Sequence, residues 1–307
     1  MVTALLCIVG AGIASAAVAP IIQRSSNAWL AMSPLHSSLT ASQISPPLTV
    51  PSSPVPATPA PLVNDPSVAA AKVNQATQAA LPNGQVGFEV FDRLNGTVLA
   101  SQDMDRQVAS MSVVKLLIAL DVLARDGGDT PDGAMQQELH QMLAASDDQI
   151  ANELWTADGG PAIVTRMVSL LGLSGTRPPA DPGEWGDTLI TPQDMVTVYR
   201  YITDHLPAAD QDLILGALTD PPKIAADGFD QHFGIPEGMP HFSWAVKQGW
   251  GTSGSQAVMN STGLVGPEWR YVVVVLASAP VDSYARLPAA VTAVVDALVN
   301  SAFAPVS

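Results

Sequence analysis

Apolar and polar positions change pattern twice along the chain, which divides it into three parts. Residues 2–22 (VTALLCIVGAGIASAAVAPII) are apolar almost without interruption. As a helix, a stretch of that length can cross about 30 Å of hydrocarbon. Ala14, Ala16, Ala17 and Ala19 also suit a signal-peptide cleavage site, so residues 1–22 are read as a signal peptide or membrane anchor. Cys7 follows Leu6, where a lipoprotein signal needs a small residue, which argues against lipid attachment there. Residues 23–64 are rich in Ser, Pro, Thr and Ala. Repeated prolines remove donors and favour extended conformers, so this part reads as a disordered linker. One domain is expected over residues 65–304.

Within that domain the periodicity switches between two and 3.6. Pro66 to Leu81 is Ala-rich and helical in propensity, with Asp65 as its cap. Gln85 to Phe91 alternates as a strand, Asn95-Gly96 is a two-residue hairpin turn, and Thr97 to Gln102 returns. The stretch from Ser112 onward carries Val113, Val114, Leu116, Leu117, Ile118, Leu120, Val122 and Leu123 on every face, which predicts a buried central helix stopped by Gly127-Gly128. Shorter helices follow over Gln136–Ala145, Asp148–Trp155 and Pro161–Leu171. Ser174 to Thr191, dense in Pro and Gly, is an irregular loop, and Thr191 caps a helix over Pro192–His205. Strands are expected over His241–Lys247, Gln256–Val265 and Trp269–Ala277, then a closing helix over Tyr284–Phe303. Two strands, a block of helices, three strands and a last helix predict an α+β domain. Its five-stranded antiparallel sheet is flanked by the terminal helices and interrupted by an all-α subdomain.

Charge and composition narrow the function. With 13 Lys+Arg against 28 Asp+Glu, the net charge of −15 speaks against nucleic acid or an anionic bilayer surface as partner, since both need clustered cations. A hydrophobic content of 47% excludes wholesale disorder. A single cysteine rules out a disulfide framework or a Cys-based zinc site within one chain. The five histidines form no H-x-x-x-H spacing, so no metal site and no cofactor is expected. Membrane contact is expected only through the N-terminal segment, and the protein is read as an exported monomer.

Three short stretches carry chemistry. Ser112 falls in the first turn of the buried helix, where unpaired N–H groups favour negative charge near its hydroxyl. Lys115 lies one turn on, on the same face; an amine desolvated there can lose its proton and act as a base toward that hydroxyl. An ordinary alternative is a capping serine and a snorkelling lysine. Ser146-Asp147-Asp148, with Asn152 four residues later, reads equally well as a helix cap with first-turn acids. Lys247-Gln248-Gly249-Trp250-Gly251, after the strand SWAV, reads equally well as an ordinary turn.

Together, in this order and on these elements, the three resemble the S-x-x-K, S-D-N and K-T-G motifs of the penicillin-binding protein and class A β-lactamase superfamily of serine hydrolases. Ser112/Lys115 match the first fully, Ser146-Asp147-Asp148 match two of three positions, and so do Lys247 and Gly249. Asp187 to Met195 (DTLITPQDM) resembles the end of the class A omega loop. The resemblance implies that Ser112 is an acyl-forming nucleophile, Lys115 its activator and Ser146 the proton donor to the leaving group. It implies an oxyanion hole from the backbone N–H groups of Ser112 and Trp250, a Lys247 that holds a substrate carboxylate, and a Gly249 that leaves room for substrate.

Three departures shape the expectation. The loop lacks the pattern whose glutamate activates the deacylating water: Glu184 falls too late to match, and Asp181 is a weaker substitute, so water should attack an acyl-enzyme slowly. Asp148 replaces an asparagine; an ionised carboxylate only accepts, and it should hold Lys115 as a cation. Gln248 replaces a small hydroxyl residue in carboxylate recognition. Arg270 and Arg286 could assist Lys247 with an anion, although structural ion pairs are the plainer role. The expected activity is an exported serine hydrolase or transacylase acting on a small molecule, a peptidoglycan-type peptide, an amide or an ester. The alternatives are a catalytically degenerate protein that binds cell-wall fragments, and a weak class A-like β-lactamase.

Overall fold

A computed structural model describes residues 66–125 and 131–303. The expected export segment, the linker and the Gly127-Gly128 stop lie outside the described residues. In chain order the elements are helix α1 (Pro66–Ala80), strands β1 (Gln85–Asp92), β2 (Thr97–Gln102) and β3 (Val108–Ala109), a single 3-10 turn (Met111–Val114), helices α2 (Lys115–Arg125), α3 (Gly133–Ala144), α4 (Asp148–Ala157) and α5 (Pro161–Leu171), strand β4 (Leu189–Ile190), helices α6 (Pro192–Asp204), α7 (Ala208–Thr219) and α8 (Ile235–Gly238), strands β5 (Trp244–Ser253), β6 (Gln256–Val265) and β7 (Tyr271–Pro280), and helix α9 (Leu287–Ala302).

Five strands form one antiparallel sheet in the order β2-β1-β7-β6-β5. β7 sits at its centre and is buried on both faces, so YVVVVLA is a continuous apolar run rather than an alternating one. Val273 and Val275 point to the side of α1 and α9, packing with Ala69, Val73, Val294 and Leu298. Val272, Val274 and Leu276 point to the helical block, whose centre is α2. The architecture is therefore the expected α+β one: terminal helices on one face, an inserted helical block on the other.

Local differences have local causes. The central helix begins as a tight 3-10 turn, and its α-helical part starts only at Lys115. α7 falls where AADQDLILGALT carries no clean apolar stripe, and no helix was expected there. β5 continues past the third motif to Ser253 because it stays paired with β6 over its whole length, so Lys247-Gln248-Gly249 lies inside a strand rather than at a strand end.

The irregular loop between α5 and α6 is tied down by one carboxylate. Asp194, itself buried, accepts from the backbone N–H groups of Ser174, Gly175 and Thr176 and from the Thr176 hydroxyl, at 2.5–3.0 Å. At its other end the loop pairs β4 with β3, and Ser110 N–H donates to Thr188 O at 2.7 Å. The loop is thus fixed to the segment that precedes Ser112. Removing the Asp194 acceptor leaves several N–H groups unpaired, so Asp194→Ala is expected to cost about 2–4 kcal/mol. The measurements are the denaturant midpoint and, for residues 174–191, a specific loss of hydrogen-exchange protection.

Glu89 in β1 is buried, its Oε2 has no hydrogen-bond partner, and burial pushes its pKa up to about 7. A carboxyl raised in the folded state favours folding while protonated. Its contribution is therefore fully present below about pH 4.5 and is lost as the pH rises through about 7. Glu89→Gln is expected to flatten this part of the stability–pH curve, read from thermal midpoints across that range.

Candidate active site

The fold brings the three motifs together around one amine. Lys115 is 0% exposed, at the start of a helix in which every residue from Lys115 to Leu123 is buried. Such a group must be satisfied by polar neighbours. Its Nζ lies 2.9 Å from Ser112 Oγ, 2.9 Å from the Ser146 carbonyl oxygen, 3.3 Å from Ser146 Oγ and 2.5 Å from Asp148 Oδ1. Lys247, 1% exposed, reaches the same Ser146 hydroxyl from the opposite side, Nζ to Oγ at 3.0 Å. Ser112, Lys115, Ser146 and Lys247 therefore form an unbroken polar chain, with the Ser146 hydroxyl between two amines.

Burial is the largest influence on both lysines and pulls both pKa values down, that of Lys247 well below the ordinary lysine value. The Asp148 charge opposes burial at Lys115, and the Lys115 charge reinforces it at Lys247. Asp148 also serves α4 as its first residue, behind Asp147, whose side chain caps Gln149 and Ile150 N–H groups. Both readings of that motif hold at once: Asp147 is the cap and Asp148 faces the amine.

Backbone strain gathers here. Among the described residues five non-glycine residues have positive φ, and two of them are Met111, just before the serine, and Ser146 itself. Such conformations cost of order 1–3 kcal/mol each and persist only where surrounding contacts enforce them. At Met111 the enforcing contacts are visible. Asn260 on β6 donates to the carbonyls of Ala109 and Ser110 at 2.9 and 3.1 Å, and Ser110 Oγ donates to Gly186 O at 3.3 Å.

The third motif is used differently from expectation. Gln248 Nε2 donates to Phe233 O at 2.6 Å and to Gln231 O at 3.3 Å, so its buried amide is turned away from the serine. A Cβ on Gly249 would lie 2.6 Å from Ser110 O and within about 3.2 Å of Val113 and Met111. The missing side chain makes room for the serine's own turn. Trp250 does face the cleft, and its Nε1 donates to Asp227 at 2.9 Å. Arg270 is held by Asp92 at 2.7 Å and Arg286 donates to Ser283 at 2.9 Å, so both serve structure.

A cavity of about 380 Å³ opens above Ser112, with Asp148, Asn152, Glu184, Trp185, Asp227 and Trp250 among its walls. Glu184 thus lines the cleft, whereas Asp181 accepts from Gly183 N–H at 2.9 Å to shape a turn. From the loop the Trp185 ring comes close to Lys115, its centroid 4.8 Å from Nζ. That indole is held by its Nε1 donating to Asn152 Oδ1 at 2.7 Å. Trp185, Asp227 and Asn260 were not foreseen: each reaches the site from a distant element through a contact that leaves no local spacing signal.

Comparison with known proteins agrees with the fold. The chain has the β-lactamase/penicillin-binding-protein-like fold. A β-lactamase from Chitinophaga pinensis aligns with a TM-score of 0.60 at 15% identity, over 75% of this chain and 97% of that one. An ancestral class A β-lactamase, the last common ancestor of Gram-negative bacteria, aligns at 0.58 and 22% identity, over 76% and 99%. At such identities the likeness is one of fold. Among curated sequences, "Putative lipoprotein LppW" of Mycobacterium tuberculosis and of Mycobacterium bovis is 37% identical over 218 residues, 69% of this chain and 69% of the relative. The chain belongs to the LppW family. No protein-family profile matches it.

Gly249→Ala would push the turn that carries Ser112 away from β5. It is expected to cost about 1–3 kcal/mol, as overpacking does. It should also reduce labelling of Ser112 by a fluorophosphonate more than tenfold. Thermal midpoint and labelling rate, measured together, check both effects.

Proposed function

We propose that the chain is an exported serine hydrolase or transacylase that carries an acyl group on Ser112, acting on a peptidoglycan-type peptide, amide or ester and not as an efficient β-lactamase. The observation that carries this reading is the Ser112 Oγ to Lys115 Nζ contact of 2.9 Å in a buried site that pulls the amine toward its neutral form. Neutral Lys115 accepts the Ser112 proton as Oγ bonds to the substrate carbonyl carbon. The tetrahedral oxyanion is met by the backbone N–H groups of Ser112 and Trp250. The bond from carbon to the leaving nitrogen or oxygen then breaks, and the leaving group takes a proton by way of Ser146 Oγ, which touches both amines. Water or an amine acceptor finally releases the acyl group.

Slow hydrolysis follows from the loop. The loop lacks the glutamate that the family resemblance calls for, and it sets beside Lys115 an indole, which cannot take a proton from water. A long-lived acyl-enzyme favours transfer to a better acceptor. Export is supported by the apolar N-terminal segment and by the relatives' description as a lipoprotein. One observation favours a second reading, a binding protein with little catalysis: the 2.5 Å contact with Asp148 holds Lys115 as a cation, in which form it has no lone pair for the serine proton.

Intact-mass spectrometry of the full chain after exposure to a fluorophosphonate and to a penicillin separates the two. Catalysis requires one adduct, on Ser112, absent from Ser112→Ala; no adduct with either reagent leaves the binding protein. Nitrocefin turnover is expected to stall after one equivalent.

The pH dependence has a definite sign. Acylation needs neutral Lys115, so its rate rises with pH through the Lys115 pKa. Asp148 raises that pKa, so Asp148→Asn is expected to move the rise to lower pH and to speed labelling by a fluorescent penicillin at neutral pH. An unchanged profile would show that Asp148 has no hold on the base.

A further inference from the structure

The walls of the cleft carry one sign of charge. Asp148, Glu184, Asp187 and Asp227 all line the cavity above Ser112, and no lysine or arginine is among its lining residues. The nearby amines are in its floor and buried: Lys115 is spent on Ser112, Ser146 and Asp148, and Lys247 on Ser146 and the Gln248 carbonyl. Every other group that was a candidate for holding an anion is occupied elsewhere. Gln248 donates to Phe233 O, Arg270 is paired with Asp92, and Arg286 donates to Ser283.

Two tryptophans complete the lining. Trp185 and Trp250 are both half-buried and both line the cavity. Trp250 is braced by stacking on Phe229, centroids 4.9 Å apart, and by its hydrogen bond to Asp227. Indole faces flanked by carboxylates attract organic cations through the ring quadrupole as well as through charge. Among the described residues no three acidic or histidine side chains converge closely enough to hold a metal ion, so this arrangement suits a diffuse organic cation.

We infer that the cleft selects an acyl donor carrying an ammonium group and disfavours one carrying a carboxylate. The inference rests on the acyl-transfer reading of Ser112 and supplies its substrate class. Glu184, Asp187 and Asp227 are then specificity-determining residues. They reject an anion by repulsion as much as they hold a cation, which is how charge commonly sets specificity.

The test uses three p-nitrophenyl esters matched in length, with an ammonium, a methyl or a carboxylate at the distal end. Acylation of the full chain is expected to run about tenfold faster with the ammonium ester than with the carboxylate ester, and added salt should shrink that ratio. Glu184→Gln and Asp227→Asn should each lower the ratio. The corresponding methyl amides, titrated into Ser112→Ala by calorimetry, should bind in the same order. Equal or inverted binding, or a ratio indifferent to both salt and substitution, would overturn the inference. If none of the esters leaves an adduct on Ser112, it is the acyl-enzyme reading that has failed, while the titration still decides which charge the cleft selects.

Discussion

The structure around this site is organised by the need to bury one amine. Lys115 opens a helix whose residues through Leu123 are all packed into the core, so its nitrogen cannot reach water. An unpartnered charge or amine there would cost several kcal/mol. The surroundings meet that cost with four oxygen contacts drawn from three places: the turn before α2, the strained residue Ser146, and the first residue of α4. The convergence that gives the cleft its chemistry is also what allows the helix to be buried.

Holding those oxygens in place requires backbone conformations the chain would not adopt alone. Met111 and Ser146 both sit at positive φ. Around Met111 the constraints come from the far ends of the fold. β6 contributes Asn260, β5 contributes the absent side chain of Gly249, and the loop before α6 contributes Gly186 and Thr188. That loop is in turn fixed by Asp194 and by Trp155, whose Nε1 donates to Pro182 O at 2.9 Å. Strain at the serine is therefore sustained by hydrogen bonds spread over the sheet, the helical block and the loop.

This distribution explains what was legible in the sequence. The return of β1 into β2, the helix apolar on all faces and the presence of a strand at β7 are written in local pattern and were read correctly; the turn between β1 and β2 spans the four residues 93–96, because Asp92 pairs with Thr97, and not the two of Asn95-Gly96. The contact between Ser112 and Lys115 was legible too, because a spacing of one turn is itself the geometry. Gln248 was misread in detail because the direction of a strand side chain depends on what lies behind the sheet; here the Phe233 carbonyl claims its amide. Gly249 was placed correctly, but its reason, the carbonyl of Ser110, lies more than a hundred residues away in sequence. α7 lacked a clear stripe, and Trp185 and Asp227 sit in irregular segments whose placement follows from anchors elsewhere, so no periodicity announced them.

The acid at the altered position of the second motif has a physical reason. Lys115 and Lys247 both reach the hydroxyl of Ser146 and are therefore only a few ångströms apart. Two unit charges about 6 Å apart repel by about 3 kcal/mol at an effective dielectric of about 20. The crevice therefore disfavours two full cations, and the stronger depression falls on Lys247, which is more remote from carboxylates and has no ion pair of its own. Asp148 neutralises one member of the pair, and the Trp185 ring gives the same ammonium a second favourable contact. An asparagine would leave both amines competing for neutrality through Ser146 alone. Asp148 thus opposes the effect of burial at Lys115 through direct contact, whereas the Lys115 charge adds to the effect of burial at Lys247.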